Sequence, residues 1–208
     1  MARVLTRAAA REGASLSTPA ALRLFRGRRM SECLAEIEAR AGRPLAAGFE
    51  RLLRQQMDQA FAAELRPVAG IHAALARIRL PLCVASNGPL EKLERNLART
   101  GLAAGFQGRL FSAYEVGAWK PDPSLFLHAA ATLNAEPSRC VVVEDSLVGV
   151  AAGLSAGMRV FGYAGGDPET AEKLIRAGAT VFMAMSDLPP LLETSAAPCL
   201  LAGSNAAE

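Results

Sequence analysis

Apolar and polar positions recur with a helical period from the start of the chain to about Leu65, and alternate between strand and helix patterns after it. Val4, Leu5 and Ala8 open a helix that Gly13 ends. Thr18 and Pro19 read as N-cap and first residue of a second. Ser31, followed by Glu32 and Glu36, opens a third that runs to about Arg40. Gly42-Arg43-Pro44 breaks it, and a longer helix is predicted from about Leu45 to Leu65. Alanine, leucine, arginine and glutamate dominate this stretch and β-branched residues are few, as helices prefer.

At Arg66-Pro67-Val68-Ala69-Gly70 the period changes. Strands are predicted over 82–85, 109–112, 141–143, 159–163 and 180–183, with helices between them. Leu90, Leu93 and Leu97 share one face of a helix that Gly101 ends, and Asp122-Pro123 and Asp167-Pro168 read as helix starts. Ser146 opens a helix whose Leu147, Val150, Ala151 and Leu154 lie on one face. Strands alternating with helices imply a parallel sheet, hence an α/β fold. Three segments follow: a helical domain over 1–66, an α/β domain over 67–193, and a small, polar tail over 194–208 expected to be loose.

Two strands end in polar pairs, at the sheet edge where α/β proteins bind ligands. Ser86-Asn87 follows the 82–85 strand, and Glu144-Asp145 follows Val141-Val142-Val143. Lys120 stands in Gly117-Ala118-Trp119-Lys120-Pro121-Asp122-Pro123, a loop fixed by two prolines. Carboxylate oxygens suit Mg²⁺, while a lysine and hydroxyl or N–H donors at a helix start suit phosphate. Phosphoryl transfer uses that mixture, because its catalysis is mainly positioning and charge neutralisation. Each piece alone has a plainer reading: Ser-Asn as a helix cap, Lys120 as a solvated side chain, Asp145 as an N-terminal acid.

The order of these motifs carries more than the pieces do. Val84-Ala85-Ser86-Asn87-Gly88, then Trp119-Lys120-Pro121-Asp122-Pro123, then Val141-Val142-Val143-Glu144-Asp145-Ser146-Leu147-Val148-Gly149-Val150-Ala151-Ala152-Gly153 resembles the haloacid dehalogenase superfamily. Within it, the branch of β-phosphoglucomutases and sugar-phosphate phosphatases is most similar. The resemblance implies a Rossmann-like, doubly wound parallel core with a helical cap, and a Mg²⁺-dependent phosphatase of small sugar phosphates. It implies Mg²⁺ held partly by Asp145 with Glu144 beside it, and the phosphoryl group bound by Ser86 and Lys120 with help from Asn87. Arg26 and Arg29, in the basic turn Phe25-Arg26-Gly27-Arg28-Arg29, would reach the substrate from the cap; a solvated turn is the alternative. A β-phosphoglucomutase-type isomerase and a non-catalytic phosphosugar-binding pseudoenzyme fit the same residues.

One part of the family pattern is missing. Its first motif is an Asp-x-Asp pair ending a core strand, whose first aspartate is the nucleophile, and these 208 residues contain no such pair. Without it no activated carboxylate remains for covalent catalysis, so the chain as given is expected to be inactive by the family route. The lost strand would lie between those ending at Ser86 and Glu144, leaving two central sheet edges unpaired.

Composition narrows the rest. A net charge of +3 lacks the concentrated basic patch that nucleic acid needs. No apolar run approaches the ~20 residues of a membrane span. Arg3, Arg7 and Arg11 interrupt the start, so no secretory leader is read there and a cytoplasmic location is expected. The four cysteines are far apart and read as reduced. His72 and His128 lie in predicted helices with no serine or cysteine partner at a strand end, against a His-based hydrolase. A small phosphorylated metabolite is the expected partner, with no nucleic acid and no membrane, and the cap type implies a monomer.

Overall fold

The computed structural model describes residues 2–25, 29–106, 108–194 and 199–204. The chain divides into two compact units, one ending at Leu65 and the other beginning at Arg66.

The first unit holds α1 (Ala2–Arg11), α2 (Thr18–Phe25), α3 (Met30–Ala41) and α4 (Phe49–Glu64). Leu5, Ala8 and Ala9 of α1 meet Ile37, Leu53, Met57 and Phe61 in its core. Three helix starts differ from the sequence reading. α3 begins one residue early, at Met30 after Arg29 as N-cap. Ser17, not Thr18, caps α2, its Oγ accepting from the Ala20 N–H at 3.3 Å. α4 begins at Phe49, four residues late, because Gly48 is left-handed at φ 81° and the Glu38 carboxylate takes the Leu45 N–H.

The second unit runs α5 (Ile71–Arg77), β1 (Leu82–Ser86), α6 (Leu90–Arg99), β2 (Leu110–Ser112), α7 (Ala113–Val116), α8 (Ser124–Thr132), β3 (Cys140–Glu144), α9 (Leu147–Ser155), β4 (Arg159–Tyr163), α10 (Pro168–Arg176), β5 (Thr180–Phe182), α11 (Leu188–Thr194) and β6 (Cys199–Ser204). The strands form one parallel sheet in the order β2-β1-β6-β3-β4-β5. Successive residues point to opposite faces, so Val142, Val160 and Leu201 pack with α8 and α9 while Val141, Phe161 and Leu200 pack with α5 and α11. Both faces are covered, the Rossmann-like arrangement that near-continuous apolar strands imply.

β6 overturns two expectations. The tail after Glu193 is not loose throughout: α11 extends to Thr194, and Cys199–Ser204 is a strand. The central edges are not open either, because β6 fills the gap between β1 and β3. It pairs Leu82 with Leu200 through Ser86 with Ser204 on one side, and Cys140 with Cys199 through Val143 with Ala202 on the other. The reason is backbone satisfaction. Two facing rows of unpaired N–H and C=O groups in a buried sheet recruit any segment able to pair with both.

The inner face of α9 also differs from the apolar stripe read from sequence. Leu147 and Leu154 are exposed, while Gly149, Val150, Ala152 and Gly153 are buried. A Cβ at Gly153 would lie 2.7 Å from Val160 Cγ2, so α9 sits on the sheet at a distance only small residues allow.

Asp167 caps α10, accepting from the Thr170 hydroxyl and N–H and from the Glu169 N–H. The Thr170 hydroxyl is the largest cause holding its carboxyl below the ordinary 3.8. A depressed folded value contributes stability that is present above the unfolded pKa and is lost as pH falls through the folded one. Carboxyl-carbon NMR should therefore give an Asp167 midpoint below 3.8, and Thr170→Val should move it upward.

Candidate active site at the carboxyl edge of the sheet

Ser86 ends β1 and Glu144 ends β3, and the Gly203 position of β6 lies between them. Lys120 enters from the loop between α7 and α8. Its backbone is held by Asn87: the Lys120 N–H donates to Asn87 Oδ1 at 2.8 Å, and Asn87 Nδ2 donates to the Lys120 carbonyl at 3.2 Å. Lys120 Nζ then donates to the Ala85 carbonyl at 3.3 Å and forms an ion pair with Glu144 Oε1. The ammonium also lies 5.3 Å from the centroid of the Phe126 ring. One lysine thus ties the end of β1 to the end of β3.

The other Glu144 oxygen is engaged as well. Ser146 Oγ donates to Glu144 Oε2 at 2.9 Å and accepts from the Gly149 N–H at 3.1 Å, capping α9 as its position in the sequence suggests. Two glycines make room for the carboxylate. A Cβ at Gly149 would lie 2.0 Å from Glu144 Cδ, and one at Gly203 would lie 1.8 Å from Glu144 Oε1. The Lys120 and Glu144 side chains are both 0% exposed. A buried pair persists only with good geometry and further hydrogen bonds, which Ala85 and Ser146 supply here.

The edge is therefore closed. Ser86, Lys120, Glu144 and Ser146 are buried, and Asn87 and Asp145 are partly so. The sequence motifs do converge, but into a desolvated cluster. Lys120 is not a solvated side chain. Both polar atoms of the Asn87 side chain hold the Lys120 backbone, through one of its two amide N–H groups and its Oδ1. Ser86 Oγ accepts from the Gly88 N–H at 3.1 Å, which leaves its own proton for another acceptor. Arg29 is exposed just ahead of α3, its N–H bonded to the Glu32 carboxylate, and Arg26 lies outside the described residues.

The sequence matches the haloacid dehalogenase-like hydrolases over residues 4–157, about three quarters of its length. The chain belongs to that family. It is 33% identical over 180 residues to the 6-phosphogluconate phosphatase of Escherichia coli (strain K12), covering 86% of this chain and 80% of that one. A haloacid dehalogenase-like protein of unknown function from Agrobacterium tumefaciens str. C58 superposes with a TM-score of 0.82 at 33% identity, over 94% of this chain and 90% of that one. A HAD family hydrolase from Deinococcus radiodurans R1, with bound phosphate and sodium, gives 0.75 at 28% identity, over 95% and 90%.

Phosphatases of the haloacid dehalogenase family generally use Mg²⁺, and the residues present can be tested against that ion. Mg²⁺ requires several oxygen ligands in near-octahedral array. Among the described residues no three His, Cys, Asp or Glu side chains gather in one place. Both Glu144 oxygens face protein donors, so the carboxylate expected beside a metal serves as the counter-ion of Lys120 instead. Asp145 is the remaining acid of the pair. The described donor set does not fit a resident Mg²⁺.

Sequence reasoning missed four residues that build this haloacid dehalogenase-type edge. Gly149 and Gly203 flank the carboxylate, and Phe126 lies under the ammonium. Ser112, fully buried, pairs in register with Ser86 and donates to the Gly88 carbonyl at 2.8 Å, fixing the turn after β1. Only Gly149 left a readable signal, as a glycine at the start of a helix directly after the acids.

Asn87→Ala is expected to loosen this arrangement without unfolding it. The Lys120 N–H and carbonyl lose their partners, at about 1–2 kcal/mol. The check is amide hydrogen exchange: the Lys120 N–H should exchange faster while the β3 amides keep their protection.

Proposed function

We propose that the carboxyl edge is the phosphoryl site of a phosphatase acting on small phosphorylated sugars, held here in a closed state. The observation that carries the reading is Lys120, clamped by Asn87 and placed between the ends of β1 and β3 in a family of hydrolases. Support for a sugar-phosphate substrate comes from the 6-phosphogluconate phosphatase relative.

Ser86 would donate its hydroxyl proton to a phosphoryl oxygen, and Lys120 would supply the positive charge. Glu144 keeps that charge in place and in the right direction. An arriving phosphate dianion meets a pair that is already neutral, so binding must come with opening of the edge. The helical unit over 1–66 would serve as the cap that selects the sugar, with Arg26 and Arg29 as its contacts.

Among the described residues no further carboxylate is seen bonded to Lys120 that could act as nucleophile. Glu144 is committed to the lysine, and β6 brings Ala202, Gly203 and Ser204 to the edge. It should therefore bind the phosphoryl group without forming an aspartyl-phosphate. Calorimetry with inorganic phosphate, vanadate and 6-phosphogluconate tests binding, with Trp119 emission reporting the opening. Saturable binding that Ser86→Ala weakens about tenfold, the loss of one charge-assisted bond, is expected. A folded chain that binds none of the three overturns the site. Phosphate release from a panel of phosphosugars would overturn the non-covalent part alone.

A further inference from the structure

β6 comes last among the described strands yet stands in the middle of the sheet. Its neighbours do not depend on it for all their pairing. β1 is also laddered to β2, and β3 to β4, so each half of the sheet is a paired unit of its own. Only residues 195–198, Ser195-Ala196-Ala197-Pro198, join α11 to β6. We propose that the slot between β1 and β3 also accepts the Cys199–Ser204 strand of a second copy, so that the chain forms a reciprocally exchanged dimer.

The slot is selective, and its selectivity names the occupant. Leu200 and Leu201 are buried on opposite faces of the sheet, so the strand must be apolar at both positions. At the third residue beyond Leu200 the slot admits no side chain, because a Cβ there would lie 1.8 Å from Glu144 Oε1. A strand with any other residue at this register displaces Glu144 from Lys120. Few extended segments carry two apolar residues, a small one and then glycine, in parallel register with both edges. Every other copy of this chain carries one. The ladder is identical whether the strand arrives in cis or in trans, so the two forms differ only in the hinge and in the entropy of association. A four-residue linker is of the short kind that invites exchange, and concentration then sets the balance. The inference does not depend on the activity of the site.

The register supplies the test. Cys140 and Cys199 are Cα partners on neighbouring parallel strands, which run about 4.8 Å apart. In a chain with Cys33→Ser and Cys83→Ser, one variant also carries Cys140→Ser and a second carries Cys199→Ser. The two are refolded together at high concentration and treated with dibromobimane, in which each thiolate displaces one bromide and only a doubly linked product fluoresces strongly. A fluorescent covalent dimer in the mixture, absent from either variant alone, is the expected result. The chain that keeps both Cys140 and Cys199, refolded dilute, should give a fluorescent monomer. If that monomer forms and the mixed dimer does not, β6 stays in cis and the proposal is overturned. If neither forms, β6 does not lie beside β3 in this register, and the proposal falls with it. Gly203→Val in both partners should abolish the mixed dimer, and a dimer that survives it would overturn the assigned selectivity. Trp119 emission shows in each case that the chain has folded.

Discussion

Glu144→Ala is expected to destabilise the α/β unit by about 3–5 kcal/mol, a large fraction of the stability of an ordinary domain. The loss is not the value of the ion pair. It is the penalty of leaving the Lys120 ammonium without a counter-ion at 0% exposure, with the Ala85 carbonyl and the Phe126 ring as its remaining partners. Lys120→Ala should cost a similar amount for the mirrored reason, since Glu144 then keeps Ser146 alone. Removing both charges is a different experiment. Lys120→Met with Glu144→Met replaces two desolvated ions by unbranched apolar chains, and replacing a buried ion pair by apolar residues of similar volume is often neutral or stabilising. The double variant should therefore recover most of the loss and show a large coupling energy in a double-mutant cycle. Urea unfolding followed by Trp119 emission reads this directly, because the chain has one tryptophan and it adjoins Lys120. A cost below about 1 kcal/mol for Glu144→Ala is what a solvent-reached pair would give, and it would contradict the closed edge.

Much of the second unit is legible in the sequence because its signals are local. Val141-Val142-Val143 announces a strand buried on both faces, and Ser146 announces the helix that follows, since a cap needs only its own next three residues. The motif order that marks the family points to Ser86, Lys120 and Asp145 at one sheet edge, but the acid that Lys120 pairs with there is Glu144, which the sequence reading set beside Asp145 as a metal ligand. What escapes is decided by packing at a distance. Four apolar residues among alanine, serine and proline do not specify a strand, and Cys199–Ser204 becomes one because two central edges lack a partner. Three of the four residues of the stripe read for α9, Leu147, Ala151 and Leu154, are exposed for a related reason, and only Val150 is buried. Helix-to-strand closeness is set by Gly149 and Gly153, and a hydrophobic period weighs large residues and ignores small ones. The same blindness hides the nature of the site. A lysine and a glutamate 24 residues apart read as two reagents, whereas the glycines around Glu144 make them a single neutral, buried unit.

Gly149→Ala separates these influences by sign. Glycine inside a helix is less favourable than alanine by about 1 kcal/mol, so propensity alone predicts a stabilising change. The site predicts the reverse. The new Cβ would lie 2.0 Å from Glu144 Cδ, 2.1 Å from Oε2 and 2.3 Å from Oε1, far inside the carbon contact distance of about 3.5–4.0 Å. The carboxylate has nowhere to go. Its oxygens are bonded to Lys120 and Ser146, and Gly203 of β6 closes on it as well. Either α9 lifts from the sheet, at about 1–3 kcal/mol for an overpacked core, or Glu144 releases Lys120 and the cost approaches that of a broken buried pair. The decisive measurement repeats the substitution in the Glu144→Ala background. With the carboxylate gone the obstacle is gone, and Gly149→Ala should then stabilise the chain by something near its helical propensity. A reversal of sign between the two backgrounds is produced by a steric contact with Glu144 and by nothing in α9 itself. The same sign in both would mean that the glycine serves the helix and not the carboxylate.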